Sequence, residues 1–139
     1  ANSLNFFSTF TNKNYVRDKI DFCLGQVGLI EANNQPVASL SHGDCRKLEI
    51  AMALASDAKL LLLDEPMAGL GPSETQEMIS LLNKLKGKQT ILLVEHDMDA
   101  VFALADRISV LVSGEIIATG EPNNIRRDSK VQKAYLGEA

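Results

Sequence analysis

The 139-residue chain has 14 basic and 18 acidic side chains (formal net charge −4), with 45% apolar and 23% charged residues. That is the make-up of an ordinary globular protein, long enough for one domain and short for two, able to bury a core without a disulfide scaffold. The acidic balance and the lack of any basic block argue against a general nucleic-acid binder, which concentrates positive charge against phosphates.

At the start of the chain, Phe6, Phe7 and Phe10 are not preceded by the basic region of a signal peptide. No apolar run anywhere approaches the ~18 residues of a membrane span. The first residue is not Met, which fits a chain that begins inside a longer polypeptide. Residues up to about Pro36 read as helical but weakly patterned, with Phe22, Leu24, Val27, Leu29 and Ile30 interrupted by Gly25 and Gly28. Asn33-Asn34-Gln35-Pro36 is a loop signal. Ser41 is a good helix N-cap, and Asp44 three residues on completes a capping-box pattern. Behind it Cys45, Leu48, Met52 and Ala55 form one stripe of an amphipathic helix. Cys23 and Cys45 are far apart, have no metal-type spacing, and read as reduced, buried thiols.

Leu60 to Leu63 is a short apolar run ending in Asp64-Glu65, the pattern of a strand buried on both faces in a parallel sheet. Gly69, Gly71 and Pro72 break the chain. Ser73 with Gln76 predicts the opening of a second helix, whose inner face carries Met78, Ile79, Leu82 and Leu85. Thr90 to Val94 is another buried-strand pattern, closed by Glu95, His96 and Asp97. A short helix follows with Met98, Val101, Phe102 and Ala105. Ile108–Val112, Ser113-Gly114 and Ile116–Thr119 predict a hairpin, and residues from Asn123 onward one or two terminal helices. Strands alternating with helices predict an α/β fold with a largely parallel sheet and a hairpin near one end.

In open α/β sheets, ligands bind beyond the carboxyl ends of the strands. Asp64-Glu65 and Glu95-His96-Asp97 stand at such ends. An aliphatic strand ending in Asp-Glu suits magnesium-assisted phosphate chemistry, one carboxylate holding Mg²⁺ and the next polarising a water. Leu40-Ser41-His42-Gly43-Asp44 opens a helix whose free N–H groups and positive dipole end suit a phosphate, with Gly43 permitting close approach and Ser41 adding a hydroxyl. Taken singly, the acids also serve as turn caps and Ser41 as an ordinary N-cap. The two histidines, His42 and His96, both fall at these candidate positions.

In this linear order the residues resemble the ATPases of ABC transporters. Leu40 to Asp44 is similar to their signature motif, Leu60 to Glu65 to their Walker B strand, Ala68-Gly69-Leu70-Gly71 to their D-loop and His96 to their switch histidine. The resemblance runs from about Leu24 to the C-terminus. Leu63 to Leu70, Val94 to Met98 and Ala134 to Glu138 look like the ATPase subunits of branched-chain amino acid importers, with urea-type importers the nearest competitor.

The resemblance implies a partial P-loop NTPase fold: a mostly parallel sheet flanked by helices, a C-terminal hairpin, and no phosphate-loop strand. Residues 1–56 would be part of the helical signature subdomain and 57–139 the C-terminal part of the catalytic core. Asp64 would help bind Mg²⁺, Glu65 would be the general base, and His96 would contact the γ-phosphate and hold Glu65 and the water in line. Ser41, His42, Gly43 and Asp44 would form the site for ATP held by the opposite subunit of a head-to-tail dimer, with Ala68 to Gly71 along the seam. Transmembrane permease subunits would be the other partners, at the cytoplasmic face of the cell membrane.

Some residues depart from the family pattern. His42 stands in the common Gly-Gly pair, Asp44 where Gln or Glu is usual, and Gly71 where many members have Asp. The phosphate loop G-x-x-x-x-G-K-[ST] is missing: the one Gly-Lys step, Gly87-Lys88, is followed by Gln89 and has Leu82 at the first glycine position. The chain therefore reads as the C-terminal half of an ATPase domain, inactive alone. An unpaired strand edge where the phosphate-loop strand belongs would favour self-association, strand exchange or local rearrangement. The alternative functions are a naturally truncated, non-catalytic interaction module, or an ABC ATPase for urea or another small solute.

Overall fold

The computed structural model describes residues 13–136. The readings at Phe6, Phe7, Phe10 and Gly137-Glu138 lie outside them. Where the length pointed to one domain, the chain divides into two compact units, Ala1–Leu93 and Val94–Ala139.

The first unit begins with helix α1 (Lys13–Val27), which ends well before Pro36 and gives way to two 3₁₀ turns, Ile30–Ala32 and Val37–Ser39. Gly28, at φ +77°, supplies the left-handed conformation that stops the helix. Cys23, Leu24 and Val27 turn inward while Phe22 stays exposed. Helix α2 (His42–Ala55) packs against α1, and Lys19 of α1 pairs with Asp57 just beyond α2. As expected, Ser41 caps α2, its Oγ accepting from Asp44 N–H at 3.1 Å. The buried face differs from the expected stripe: Ile50 and Ala51 are buried, whereas Met52 is exposed. With apolar residues on nearly every side from Ile50 to Ala55, the 3.6-residue period could not select the inner face.

Strand β1 (Leu60–Asp64), helix α3 (Pro72–Leu85) and strand β2 (Thr90–Val94) complete this part of the chain. β1 and β2 pair with each other. Thr90 N–H, at the start of β2, donates to Lys59 O just before β1 at 3.2 Å, so the strands run the same way, as a helical crossover requires. α3 buries Met78, Leu81, Leu82 and Leu85. It starts at Pro72, earlier than the Ser73–Gln76 pattern predicted, with Gly71 as N-cap and the Glu74 carboxylate accepting from Gly71 N–H at 3.0 Å.

The expectation of strands buried on both faces is corrected. Leu61 is buried and Leu63, Ile91 and Leu93 are partly so, but Leu60, Leu62, Leu92 and Val94 are between 50% and 68% exposed. Successive strand residues point to opposite sides, so this alternation means one sheet face is covered and the other is bare.

The second unit is built on the predicted hairpin, β3 (Ile108–Val112) and β4 (Glu115–Gly120), which pair antiparallel. Ser113 and Gly114 take φ +50° and +85°, the pair of left-handed residues that a two-residue hairpin turn needs. A register shift between Val110 and Leu111 leaves Ile117 as an extra residue in β4. Helix α4 (Met98–Leu104) precedes the hairpin; α5 (Pro122–Arg127), the single turn α6 (Ser129–Val131) and a π turn (Gln132–Leu136) follow it. Ile108, Val110, Ile125 and Val131 form the core, with Val101, Phe102, Ala105, Val112, Ile117 and Ala118 packed around them. The Arg126 guanidinium lies 4.4 Å from the Phe102 ring centroid, and Tyr135 Oη donates to Leu111 O at 2.6 Å. The four strands thus form two separate two-stranded sheets, with the break between β2 and β3.

Candidate nucleotide-site residues

Asp64 is the last residue of β1 and Glu65 the first beyond it; both are exposed, as strand-end carboxylates should be to meet a ligand. Glu65 sits at φ +45°, a left-handed conformation that costs a non-glycine residue about 1–2 kcal/mol. The turn that follows is closed by Ala68 N–H donating to Glu65 O at 3.0 Å and Leu70 N–H to Met67 O at 3.1 Å, over the buried Pro66 and Met67. Gly69 within it lies at φ +76°.

The start of α2 is brought to this turn. His42 Nε2 lies 3.3 Å from Ala68 O, and a Cβ on Gly69 would stand 3.3 Å from the same nitrogen. Gly43 is buried, and a Cβ there would stand 2.8 Å from Glu74 Oε1. Its lack of a side chain thus makes room for a carboxylate of α3, where the sequence suggested only room for a phosphate. Lys47 links the same two helices, its Nζ donating to Asp44 Oδ1 at 3.3 Å and to Glu77 Oε2 at 2.7 Å. Partial burial works to lower the Lys47 pKa, but the hydrogen bonds it donates to Glu77 and Asp44 outweigh it and hold the ammonium above its ordinary range.

His96 belongs to the second unit. Its backbone N–H donates to Glu95 Oε2 at 3.1 Å, and its exposed ring has Nδ1 3.9 Å from the same oxygen. Asp97 caps α4, Oδ1 accepting from Asp99 and Ala100 N–H at 3.0 and 3.2 Å. Of the first-unit candidates, His42 therefore meets the turn after Asp64-Glu65 and Gly43 meets Glu74 of α3, while His96 is organised locally by Glu95.

Comparison with known proteins identifies the family. The family model for ABC transporters matches residues 2–68, and that for branched-chain amino acid ATP-binding cassette transporters matches residues 115–139. The chain belongs to the ABC-transporter ATP-binding family. It is 44% identical over 124 residues to the high-affinity branched-chain amino acid transport ATP-binding protein LivG of Escherichia coli, covering 88% of this chain and 49% of LivG. Its identity to BraF of Pseudomonas aeruginosa, described in the same words, is 43% over 118 residues, 84% of this chain and 46% of BraF. The chain thus spans about half the length of these relatives. The crystal structure of the ADP conformation of MJ1267, an ATP-binding cassette of an ABC transporter, superimposes with a TM-score of 0.80 at 31% identity, over 91% of this chain and 52% of that one.

Among the candidate site residues, the sequence patterns did not reveal Glu74 or the role of Glu95. Glu74 supports both Gly71 and the space beside Gly43; its signal was the Gly71-x-x-Glu74 spacing with Pro72 at the first helical position. Glu95 organises the His96-Asp97 turn through its carboxylate, which adjacency alone does not reveal. Among the described residues, no cluster of three or more His, Cys, Asp or Glu side chains could by itself hold a metal ion. Mg²⁺ needs no such cage, being commonly bound by one or two carboxylates plus phosphates and water, and the exposed Asp64 fits that role.

Proposed function

We propose that the chain is the C-terminal part of the ATP-hydrolysing subunit of an ABC importer for branched-chain amino acids. The observation that carries this reading is the 44% identity to LivG across 88% of the chain, joined to the branched-chain family match at residues 115–139. Residues 1–56 contribute to the helical subdomain and 57–139 to the catalytic core.

In the assembled enzyme, Asp64 holds Mg²⁺, which neutralises charge on the phosphates. Glu65 is the general base that orients the attacking water, and its left-handed backbone supports the reading, because such strain gathers at functional positions. His96 contacts the γ-phosphate and keeps Glu65 and the water in line. These roles are positioning and charge stabilisation rather than covalent catalysis.

ATP held by a second, head-to-tail subunit meets the start of α2. The N–H groups of His42 and Gly43 have no acceptor within the helix, and the dipole there favours an anion. Ser41 Oγ accepts from Asp44 N–H, which leaves its own proton for a phosphate oxygen. Asp44 adds a carboxylate to this corner, and its pairing with Lys47 offsets the repulsion of a phosphate. Ala68 to Gly71 runs along the subunit seam, and the assembly sits at the cytoplasmic membrane face on permease subunits. Among the described residues, no helix is long and apolar enough to cross a membrane. Without a phosphate loop of its own, the chain alone turns over no ATP.

The test is Glu65→Gln in a full-length ATPase containing this chain. Turnover should fall by at least about 100-fold, the usual scale for removing a general base, while ATP binding and dimer formation persist. Turnover at the parental rate would remove Glu65 from the role.

A further inference from the structure

We propose that the His42 side chain is a positioning residue: it clamps the Ala68–Gly71 turn against the start of α2 and so holds Glu65 in its left-handed conformation. The proposal rests on the ATPase reading for what Glu65 does, but its geometry stands apart from that reading. His42 Nε2 lies 3.3 Å from Ala68 O, across 26 residues of sequence. A carbonyl oxygen only accepts, so the bond requires hydrogen on Nε2. Ala68 in turn donates its own N–H to Glu65 O at 3.0 Å. The imidazole is therefore the first link of a short chain, His42 to Ala68 to Glu65, that ends on the backbone of the strained residue at φ +45°.

Two neighbouring features make the clamp specific. Gly69, at φ +76°, has no Cβ, and a Cβ there would press on the imidazole at 3.3 Å from Nε2, so the glycine leaves the ring its seat. Lys47 joins α2 to α3 through Glu77 at 2.7 Å, so the helix that carries His42 is itself fixed to the helix that follows the turn. In this geometry the side chain of His42 faces the turn of its own subunit. Its backbone N–H remains at the helix end for a phosphate, and the two roles do not compete.

The experiment uses the 139-residue chain itself. Two-bond ¹H–¹⁵N spectra at about pH 8.5, above the ordinary histidine range, should show His42 as the Nε2-protonated tautomer; the Nδ1-protonated form would overturn the proposal. His42→Ala should speed solvent exchange of the Ala68 and Leu70 amides by about fivefold, the scale of one lost exposed hydrogen bond. His42→Gln, whose terminal NH₂ reaches about as far as Nε2, should restore exchange to within about twofold of the parent. Unchanged exchange in His42→Ala, or exchange in His42→Gln as fast as in His42→Ala, would overturn the clamp. None of these readouts involves nucleotide, so a failed assignment of Glu65 as base would leave them unmoved.

Discussion

Gly43→Ala isolates the carboxylate that joins α3 to the start of α2. In open helix, replacing Gly with Ala stabilises by about 0.5–1 kcal/mol, because Gly loses more backbone freedom on folding. Here the new Cβ would stand 2.8 Å from Glu74 Oε1 and 3.2 Å from Glu74 Cδ, too close for both to remain. The glutamate is flexible enough to swing away, but it then gives up the hydrogen bond from Gly71 N–H at 3.0 Å. Loss of such a charge-assisted helix cap costs about 1–2 kcal/mol. The two effects oppose each other, and the cap outweighs the propensity. Gly43→Ala should destabilise the chain by about 0.5–1 kcal/mol in urea unfolding. In a Glu74→Ala background the cap is already gone, and the same substitution should stabilise by about 0.5–1 kcal/mol. The reversal of sign, a coupling of about 1.5 kcal/mol, is the diagnostic quantity. Equal stabilisation by Gly43→Ala in both backgrounds would show that Glu74 does not occupy the space beside Gly43.

The Lys47 bridge makes a prediction with a pH signature. Because its folded pKa is raised above the ordinary 10.5, its stabilisation is complete below that value and is lost as pH rises through the higher folded pKa. Lys47→Met should therefore cost up to about 1 kcal/mol at neutral pH, a difference that narrows above about pH 10.5; a difference constant with pH would exclude the ion pairs as its source. Val131, fully buried in the core of the second unit, should cost roughly 2 kcal/mol on truncation to Ala, read as a lower denaturation midpoint; no loss would mean that the site collapses without a cavity. The bare face of Leu60, Leu62, Leu92 and Val94 should drive concentration-dependent self-association of the isolated chain, visible by sedimentation velocity and weakened by Leu62→Lys. A chain that stays monomeric at all concentrations would refute this use of the face.

Local chemistry made much of the fold legible. Ser41 followed by Asp44 marked the start of α2, and Ser113-Gly114 marked the hairpin turn, because both signals depend on a few adjacent residues. Where two local patterns overlapped, the sequence was ambiguous. Gly71-x-x-Glu74 and Ser73-x-x-Gln76 both resemble helix starts, and the structure uses the first, which places Pro72 at the one helical position that tolerates a missing N–H. The aliphatic runs Leu60–Leu63 and Thr90–Val94 located both strands, but a run without polar alternation carries no record of which face is covered.

The candidate site divides along the same line. Asp64, Glu65 and Ser41 could be found from strand ends and helix caps, features written in consecutive residues. The bond from His42 to Ala68 spans 26 residues, and the approach of Glu74 to Gly43 joins two helices, so neither has a local signature. Gly43 shows the consequence. As a sequence position it suggested open space for a phosphate; in the fold that space holds a carboxylate tied to the cap of α3. Glycine there is favoured by the protein's own packing against Glu74, so its presence is weak evidence for a ligand. The stronger indicator is Glu65: unlike Gly43, it occupies a conformation that its own side chain disfavours. Glycine would relieve that strain but remove the carboxylate. Retaining Glu at this position therefore favours a role for the acid itself over a purely structural turn.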